Sequence, residues 1–561
     1  MKKKNTLELF DQTAQIFLNI FALLNIPLLF FHVLSIEEKP LSVYTLISIF
    51  VLIFHLILRA IFRHISLKNF YEFIPDAFFV IVGLTINNSM RVFQFYLLGR
   101  QTFLLIKNLS MGKRGGKFFD KLAQNPPVFV LFSFLFAIFI GTLFLLLPGA
   151  TVASEETSLI GALFTSTSAT CVTGLIVYDT GTHFTLFGQL VILLLIQIGG
   201  LGIMTVSSAF AIMLGQKLSI RSENLIQNVV GETNKVHMIN LIKHVLIVTF
   251  FFEIIGALFL YLTFRGDFIS HYQALYYSLF HSVSAFCNAG FSLFPDSFMS
   301  YLSNFNINFV ITSLIIIGGI GFPVIVDIRR NFFRTFKLSR LSLHTKIVLS
   351  SSALLLLIGF AAFFVSEYNS EMKDFGMLNR IYASYFQSVT TRTAGFNTID
   401  NANLSPASVL ASIILMFIGA SPGSTGGGIK TTAFAVILIS VIVMFKGNRE
   451  THIFHRKVSE NIIRKVMALI ASSVLFLSFM IFLLLLIEPF SFQQTVFEAF
   501  SAFGTVGLSM GITAQLSIYG KIIIILLMYL GRVGPLTLIF AISETKTKTS
   551  YSYTEEKIAI G

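Results

Sequence analysis

The sequence predicts an all-α integral membrane protein, with four helix–pore-loop–helix repeats in a pseudo-fourfold arrangement and extra membrane helices at the N-terminus. Three observations predict it. Of 561 residues, 55% are hydrophobic and only 12% are charged, about half the roughly 25% usual in soluble domains. Apolar runs of about 18 residues or more, enough to cross a hydrocarbon core, recur along the whole chain. A glycine-containing motif also returns four times at nearly constant spacing, each time behind an apolar stretch too short to cross.

The long apolar spans fall near 14–35, 41–62, 73–89, 91–108, 127–147, 186–213, 240–263, 305–327, 345–366, 407–445, 465–487 and 517–541. The basic start, MKKKNTLELF, leads into a long apolar stretch followed by further spans. It reads as a first membrane helix, not a cleaved signal. Shorter stretches lie at about 158–170, 270–286, 377–390 and 493–503. They read as re-entrant segments, because a core about 30 Å thick needs about 20 helical residues. Each ends in a polar, glycine-containing motif, which at membrane depth must face protein or a water cavity.

Charge sets the topology. Lys113, Arg114 and Lys117 precede the span at 127–147, and Lys217, Arg221 and Lys235 follow the next. Arg329, Arg330, Arg334, Lys337 and Arg340 follow 305–327, and Lys446, Arg449, Arg456, Lys457, Arg464 and Lys465 follow 407–445. Lys546 and Lys548 follow the last span. All fall on one side only if each short stretch dips in and returns. The excess of basic residues marks that side as cytoplasmic, with both termini there and the motifs at the outer face. The expected organisation is additional N-terminal helices over 1–112 and pore repeats over 113–236, 237–342, 343–460 and 461–548. A cytoplasmic tail occupies 549–561.

The four motifs align on one glycine. They read CVTGL around Gly174, CNAGF around Gly290, RTAGF around Gly395 and GTVGL around Gly507, spaced by 116, 105 and 112 residues. A second landmark follows each: IGGLG from Ile198, IGGIG from Ile317, IGASPG from Ile418 and LGRVG from Leu530. Internal repeats of this kind are a common basis of transport proteins.

The motif suits a dehydrated monovalent cation. Such an ion needs several neutral oxygens in place of its water, and backbone carbonyls supply them at modest field strength. Aiming consecutive carbonyls at an axis takes the chain out of strand and helix geometry, which glycine permits. The candidate ion-binding residues are Cys171, Val172, Thr173 and Gly174; Cys287, Asn288, Ala289 and Gly290; Thr393, Ala394 and Gly395; and Thr505, Val506 and Gly507. The short helix before each motif would turn its negative C-terminal end toward the ion. A single motif of this kind is more simply a break that helps helices pack; four in register favour the ion.

Asp179, Asp296 and Asp400 follow the first three motifs and could concentrate cations at the mouth. They are equally readable as solvated loop acids, and the fourth motif has none. Arg392 lies inside the third motif, where its charge would repel the ion. Its side chain is expected to turn away and form a structural ion pair with Glu498 of the fourth short helix. Arg392→Gln is then expected to lower transport or folding.

The span 407–445 is broken at 419–432 by GASPGSTGGGIKTT, whose Pro422 and five glycines cannot continue a helix. Non-helical backbone at that depth must line a cavity. It falls half a span below the third motif, which suggests a gate made of Gly419, Ser421, Pro422, Gly423, Gly426, Gly427, Gly428 and Lys430. Arg532, at the matching position of the fourth repeat, is an intramembrane charge whose natural partners are free loop carbonyls. The plainer alternative is a passive kink with a snorkelling arginine. Gly419–Gly423 also fits GxSxG, but no strand–turn–helix context supports a hydrolase elbow. Gly423–Thr431 nearly fits a phosphate-binding loop, but Ile429 interrupts it.

These strings resemble the Trk/Ktr/HKT superfamily of potassium transporters, and are most similar to the bacterial Ktr membrane (pore) subunit. They are TSATCVTGL, QIGGLGIMT, HSVSAFCNAGFS, IGGIGFPV, QSVTTRTAGFNT, GASPGSTGGGIKTT, SAFGTVGLSMG and YLGRVGPLT, covering about 125–545. The resemblance implies potassium as substrate, selected at Gly174, Gly290, Gly395 and Gly507, and a gating loop in contact with Arg532. It also implies a homodimer in the cell (inner) membrane, docked on a cytoplasmic ring of separate nucleotide-binding regulatory subunits. No cofactor is expected in this chain, and sodium is a candidate activator. In the plant branch a serine at the first filter position goes with sodium transport, which Gly174 argues against. Residues 1–112 depart from the resemblance. Arg91, Arg100 and Lys107 lack the every-third spacing of a voltage sensor, so packing or assembly is the simpler role.

The remaining classes fit poorly. Net charge is +13, but its basic residues sit in short loops without an aromatic-plus-basic surface, so nucleic acid is not an expected partner. Cys171 and Cys287 occupy matching motifs, which speaks against a disulfide or metal site. His55, His244 and His281 are scattered, so no membrane enzyme is expected. A sodium- or proton-coupled symporter on the same scaffold is the alternative; it would need titratable residues buried along the path.

Overall fold

The computed structural model describes residues 126–152, 157–202, 235–332, 337–448 and 450–534. The expected spans and basic residues of 1–112, the basic residues of 113–117 and 217–221, Arg334, Arg449 and the tail lie outside the described residues. The described chain is mostly helical. Its helices are α1 Pro126–Leu145, α2 Leu159–Thr170, α3 Leu186–Gly200, α4 Lys235–Phe264, α5 His271–Phe286, α6 Phe305–Ile320, α7 Phe322–Asp327, α8 Leu343–Ser366, α9 Met377–Thr390, α10 Pro406–Phe417, α11 Thr431–Phe445, α12 Glu460–Ile487, α13 Phe492–Gly504 and α14 Ile518–Val533. A two-residue hairpin, β1 His452–Ile453 with β2 Arg456–Lys457, joins α11 to α12.

One succession appears four times: a long helix, a short helix, a bend, then a helix. It runs α1–α2–α3, α4–α5–α6, α8–α9–α10 and α12–α13–α14. At about 1.5 Å per residue, the short helices of 12 to 16 residues are well under a hydrocarbon thickness. Among the described residues, 244–264, 343–366 and 460–487 are long and apolar enough to cross.

Polar caps set where the helices begin. Side chains of Ser158, Thr185, Asn304, Ser342, Ser405, Ser491 and Ser517 each accept a bond from a first-turn backbone N–H. Such caps satisfy donors that water cannot reach in a bilayer. The short helices are fixed to the long ones by buried serines. Ser166 donates to the Ile138 carbonyl at 2.7 Å, Ser282 to Glu253 at 2.6 Å and Ser388 to Leu356 at 2.7 Å.

The structure departs from the sequence reading at 305–327, expected as one span. The chain turns by 91° between α6 and the helical segment Phe322–Phe332. Gly321 sits at the corner with φ +100°, and Pro323 opens the next helix. A β-carbon on Gly321 would stand 2.6 Å from the Pro422 carbonyl oxygen. The bend therefore needs both the left-handed backbone of glycine and its lack of a side chain. The string Gly-Phe-Pro carried this signal in the sequence.

Candidate ion-conducting site

At each of the four bends the backbone repeats one unusual pattern. Val172, Asn288, Thr393 and Thr505 have φ of 57°, 58°, 78° and 50°. Two residues later Gly174, Gly290, Gly395 and Gly507 have φ of 90°, 70°, 78° and 93°. Successive carbonyls of a strand point in alternate directions; interposing left-handed residues breaks that alternation. Three of the four non-glycine positions are β-branched, for which positive φ is a real outlier costing about 1–3 kcal/mol each. Strain of this kind persists only where surroundings over-determine it.

Part of that determination comes from hydroxyls the sequence reading passed over. Ser168 accepts from the Gly174 N–H at 3.1 Å, and Ser501 from the Gly507 N–H at 3.1 Å. Ser284 donates to the Phe291 carbonyl and Thr390 to the Phe396 carbonyl, both at 2.7 Å. Each bend is thus clasped by a hydroxyl five or six residues ahead of its glycine, and that offset was readable from the sequence.

The bends meet one another. A β-carbon on Gly174 would lie 2.5 Å from the Ala289 carbonyl oxygen, and one on Gly290 would lie 2.7 Å from that of Ala394. Gly395 faces the Val506 carbonyl and Gly507 faces the Thr173 carbonyl, both closer still. The contacts run 174 to 290 to 395 to 507 and back to 174, a closed ring. Cys171, Cys287, Ala289, Ala394 and Val506 are fully buried around it, and both cysteines are free thiols.

The second glycine landmark has a packing cause. Any side chain on Gly199, Gly318 or Gly531 would collide with the carbonyl of Thr170, Phe286 or Phe503 in the last turn of a short helix. Glycine there lets the helix after the first, second and fourth bends lie directly against the end of the short helix, whereas Gly419 of the third packs against Gly427 and Gly428.

Beneath the ring lies the interruption between α10 and α11. Ile418 and Ile429 pair as an isolated bridge, so 419–428 form a closed loop. Ser421 N–H donates to Gly319 O at 3.1 Å, Thr425 N–H to Gly318 O at 3.2 Å, and Phe322 N–H to Gly423 O at 3.0 Å. Gly427 N–H donates to Thr505 Oγ1 at 3.0 Å, and a β-carbon on Gly426 would strike the Thr393 side chain. The loop therefore abuts two residues of the bends themselves. Thr393 also meets the Asn288 carboxamide at 3.1 Å. Lys430 folds back, its Nζ 2.8 Å from Gly426 O. Pro422 and Gly423 seat against α6 and α7. Arg532, 6% exposed, donates to the carbonyls of Thr425 and Gly199, tying the loop to α3 and α14.

The expected ion pair between Arg392 and Glu498 is not formed. Among the described residues the Arg392 side chain hydrogen-bonds only to Ser352, with NH1 and NH2 3.4 Å from its carbonyl and hydroxyl oxygens, and its Nε has no partner. It faces a crevice with Ile316, Ile320, Leu356 and Ala420. Glu498 accepts instead from Ser509 at 2.8 Å and from Thr513. The reason is direction: Arg392 leaves its bend toward α8, whereas Glu498 reaches the chain beyond its own bend. We expect Arg392→Gln and Glu498→Ala to destabilise independently. Their effects on unfolding in detergent should sum to within about 0.5 kcal/mol in a double-mutant cycle, and a larger coupling would restore the pair.

Asp179, Asp296 and Asp400 are half-buried and serve local turns. Asp179 accepts from Thr182 N–H at 2.8 Å, Asp296 from Ser300 N–H at 3.2 Å and Asp400 from Ala402 N–H at 2.9 Å. A further acid, unremarked in the sequence reading, is Glu253 on α4. It is 2% exposed, 3.8 Å from Cys287 Sγ.

Apolar helices long enough to cross a bilayer, packed around four buried backbone bends, define an integral membrane protein. Residues 123–551 match the TrkH family, described as cation transport proteins, and the chain belongs to that family. It is accordingly a membrane transporter and not an enzyme. The chain is 43% identical over 440 residues to Ktr system potassium uptake protein B of Bacillus subtilis, covering 78% of this chain and 97% of that one. It is 36% identical to potassium/sodium uptake protein NtpJ of Enterococcus hirae, covering 78% and 97%. The crystal structure of the potassium transporter TrkH from Vibrio parahaemolyticus shares the fold. Its TM-score is 0.62 at 18% identity, covering 83% of this chain and 94% of that one.

Proposed function

We propose that the protein takes up potassium across the cell membrane through a single-file, carbonyl-lined selectivity filter made by four pore-loop repeats in pseudo-fourfold arrangement. The observation that carries this reading is the ring itself, in which each filter glycine faces the carbonyl of the next motif. Such a ring supplies oxygens from all four motifs around one point, as replacement of a potassium hydration shell requires. The loop over 419–432 acts as the gate, held by Arg532 under the bends. The exposed basic residues Arg329, Arg330, Lys446 and Lys457 mark the cytoplasmic side. By the same reading the termini are cytoplasmic, and the protein is a homodimer docked on a cytoplasmic nucleotide-binding ring that regulates the gate. Sodium acts as an activator in this reading. The test is uptake of potassium and of sodium by cells lacking their own potassium uptake. Restored, potassium-selective uptake supports the reading, and none at all removes it.

A second reading, sodium- or proton-coupled symport on the same scaffold, rests on Glu253. A carboxyl group buried in a membrane helix, with no basic partner among the described residues, is a functional candidate by default. Under the filter reading, Glu253→Gln keeps potassium uptake and leaves its dependence on external pH and sodium unchanged. Loss of such a dependence in the variant would favour symport.

A further inference from the structure

The four short helices carry, at one shared position, a side chain that neither the filter nor the gate employs. It directly precedes the buried serine that ties the short helix to its long neighbour in the first three groups. The residues are Thr165, His281, Gln387 and Glu498, at most 1% exposed. In three groups this side chain reaches past the bend to grip the outgoing chain. His281 Nε2 accepts from the Leu293 N–H at 3.2 Å and meets Ser292 Oγ at 3.0 Å, while Nδ1 donates to the Tyr277 carbonyl at 2.8 Å. Gln387 Nε2 donates to Asn401 Oδ1 at 2.8 Å, and Asn401 in turn donates to Asn397 at 3.0 Å. Glu498 accepts from Ser509, two residues beyond its glycine, and from Thr513. The first group differs. Thr165 Oγ1 and Thr180 Oγ1, six residues beyond Gly174, are both buried and make no hydrogen bond among the described residues.

We propose that His281, Gln387 and Glu498 are positioning residues that brace the outgoing arm of their bends and so hold the carbonyl ring at the width that discriminates between cations. The inference rests on the filter reading above. The hydroxyl clasps hold each bend from within, whereas the braces hold the chain leaving it. The bond, not the charge, carries the role: an imidazole, a carboxamide and a carboxylate serve at equivalent positions. The first bend has no brace at this position; its outgoing chain is held instead by Tyr178, whose hydroxyl lies 3.2 Å from Ser158 N and Oγ.

The test is competitive uptake of potassium and sodium by cells expressing the full chain, normalised to protein in the membrane. Glu498→Ala should lower the potassium-over-sodium ratio roughly tenfold, as expected for losing two buried hydrogen bonds. Glu498→Gln, which can accept from one hydroxyl and donate to the other, should restore it. Gln387→Met, which keeps the volume and removes the bond, should lower the ratio in the same direction and serves if Glu498→Ala fails to reach the membrane. Thr165→Val should leave the ratio unchanged. An unaltered ratio in both Glu498→Ala and Gln387→Met overturns the proposal. So does a Glu498→Gln as defective as the alanine variant, or a Thr165→Val as defective as Gln387→Met. If the wild-type chain carries no potassium, it is the filter reading that fails.

Discussion

Serine in place of Gly290 is expected to cut potassium uptake at least about a hundredfold and to abolish discrimination against sodium in what remains, a barrier change of about 2.7 kcal/mol. Gly290 has φ +70°, a conformation costing an ordinary L-residue about 1–2 kcal/mol. The added β-carbon would also stand 2.7 Å from the Ala394 carbonyl oxygen and 3.0 Å from the Gly395 α-carbon. Both neighbours are backbone, so no side chain can swing aside. The Ala394 carbonyl must move, and because Gly395 faces the next carbonyl in turn, the displacement passes around the ring. Gly149→Ser, where the new atom meets nothing within 4 Å, is the control and should be neutral. Parallel uptake of potassium and sodium reads the result. Equal permeation of the two ions in wild type and Gly290→Ser would break the filter assignment.

Deleting 423–428 is expected to raise the maximal rate of potassium uptake about tenfold, equivalent to removing about 1.4 kcal/mol of barrier. The deletion removes the loop's contacts with Thr505, Phe322 and Gly318, and the carbonyl that Arg532 grips. The loop mouth is already closed by the Ile418–Ile429 bridge, so a shortened connection has little distance to span. Arg532→Met should raise flux in the same direction while lowering stability by about 1–3 kcal/mol, because buried carbonyls at Thr425 and Gly199 lose their donor. Initial uptake rates at matched protein levels read both variants. A deletion that leaves flux unchanged would remove the gate.

Some of the site was legible because it depends on local chemistry. The four glycines stood out because each follows an apolar stretch too short to cross, and the break at 419–432 because Pro422 and clustered glycines cannot be helical. The Arg392–Glu498 pair was misjudged for a physical reason. Opposite charges in a low-dielectric region attract in principle, but the sequence carries nothing about the direction in which each side chain leaves its helix. Glu498 finds hydroxyl donors on its own outgoing chain and needs no arginine. The bend at Gly321 was missed because its helix stays apolar on both sides, and hydropathy does not register a corner.

By itself the sequence determined that this chain is a membrane protein, that the span at 407–445 is broken, and that four glycine motifs recur behind short helices. Apolar length, capping side chains and backbone freedom act over a few residues, so they can be read in order. Only the tertiary structure decided that Gly174 faces Ala289, that Gly507 closes on Thr173, and that Arg532 spans from Thr425 to Gly199. Those contacts join residues a hundred or more positions apart. They follow from how the helices pack around one another, where a shift of one residue would change which carbonyl meets which glycine.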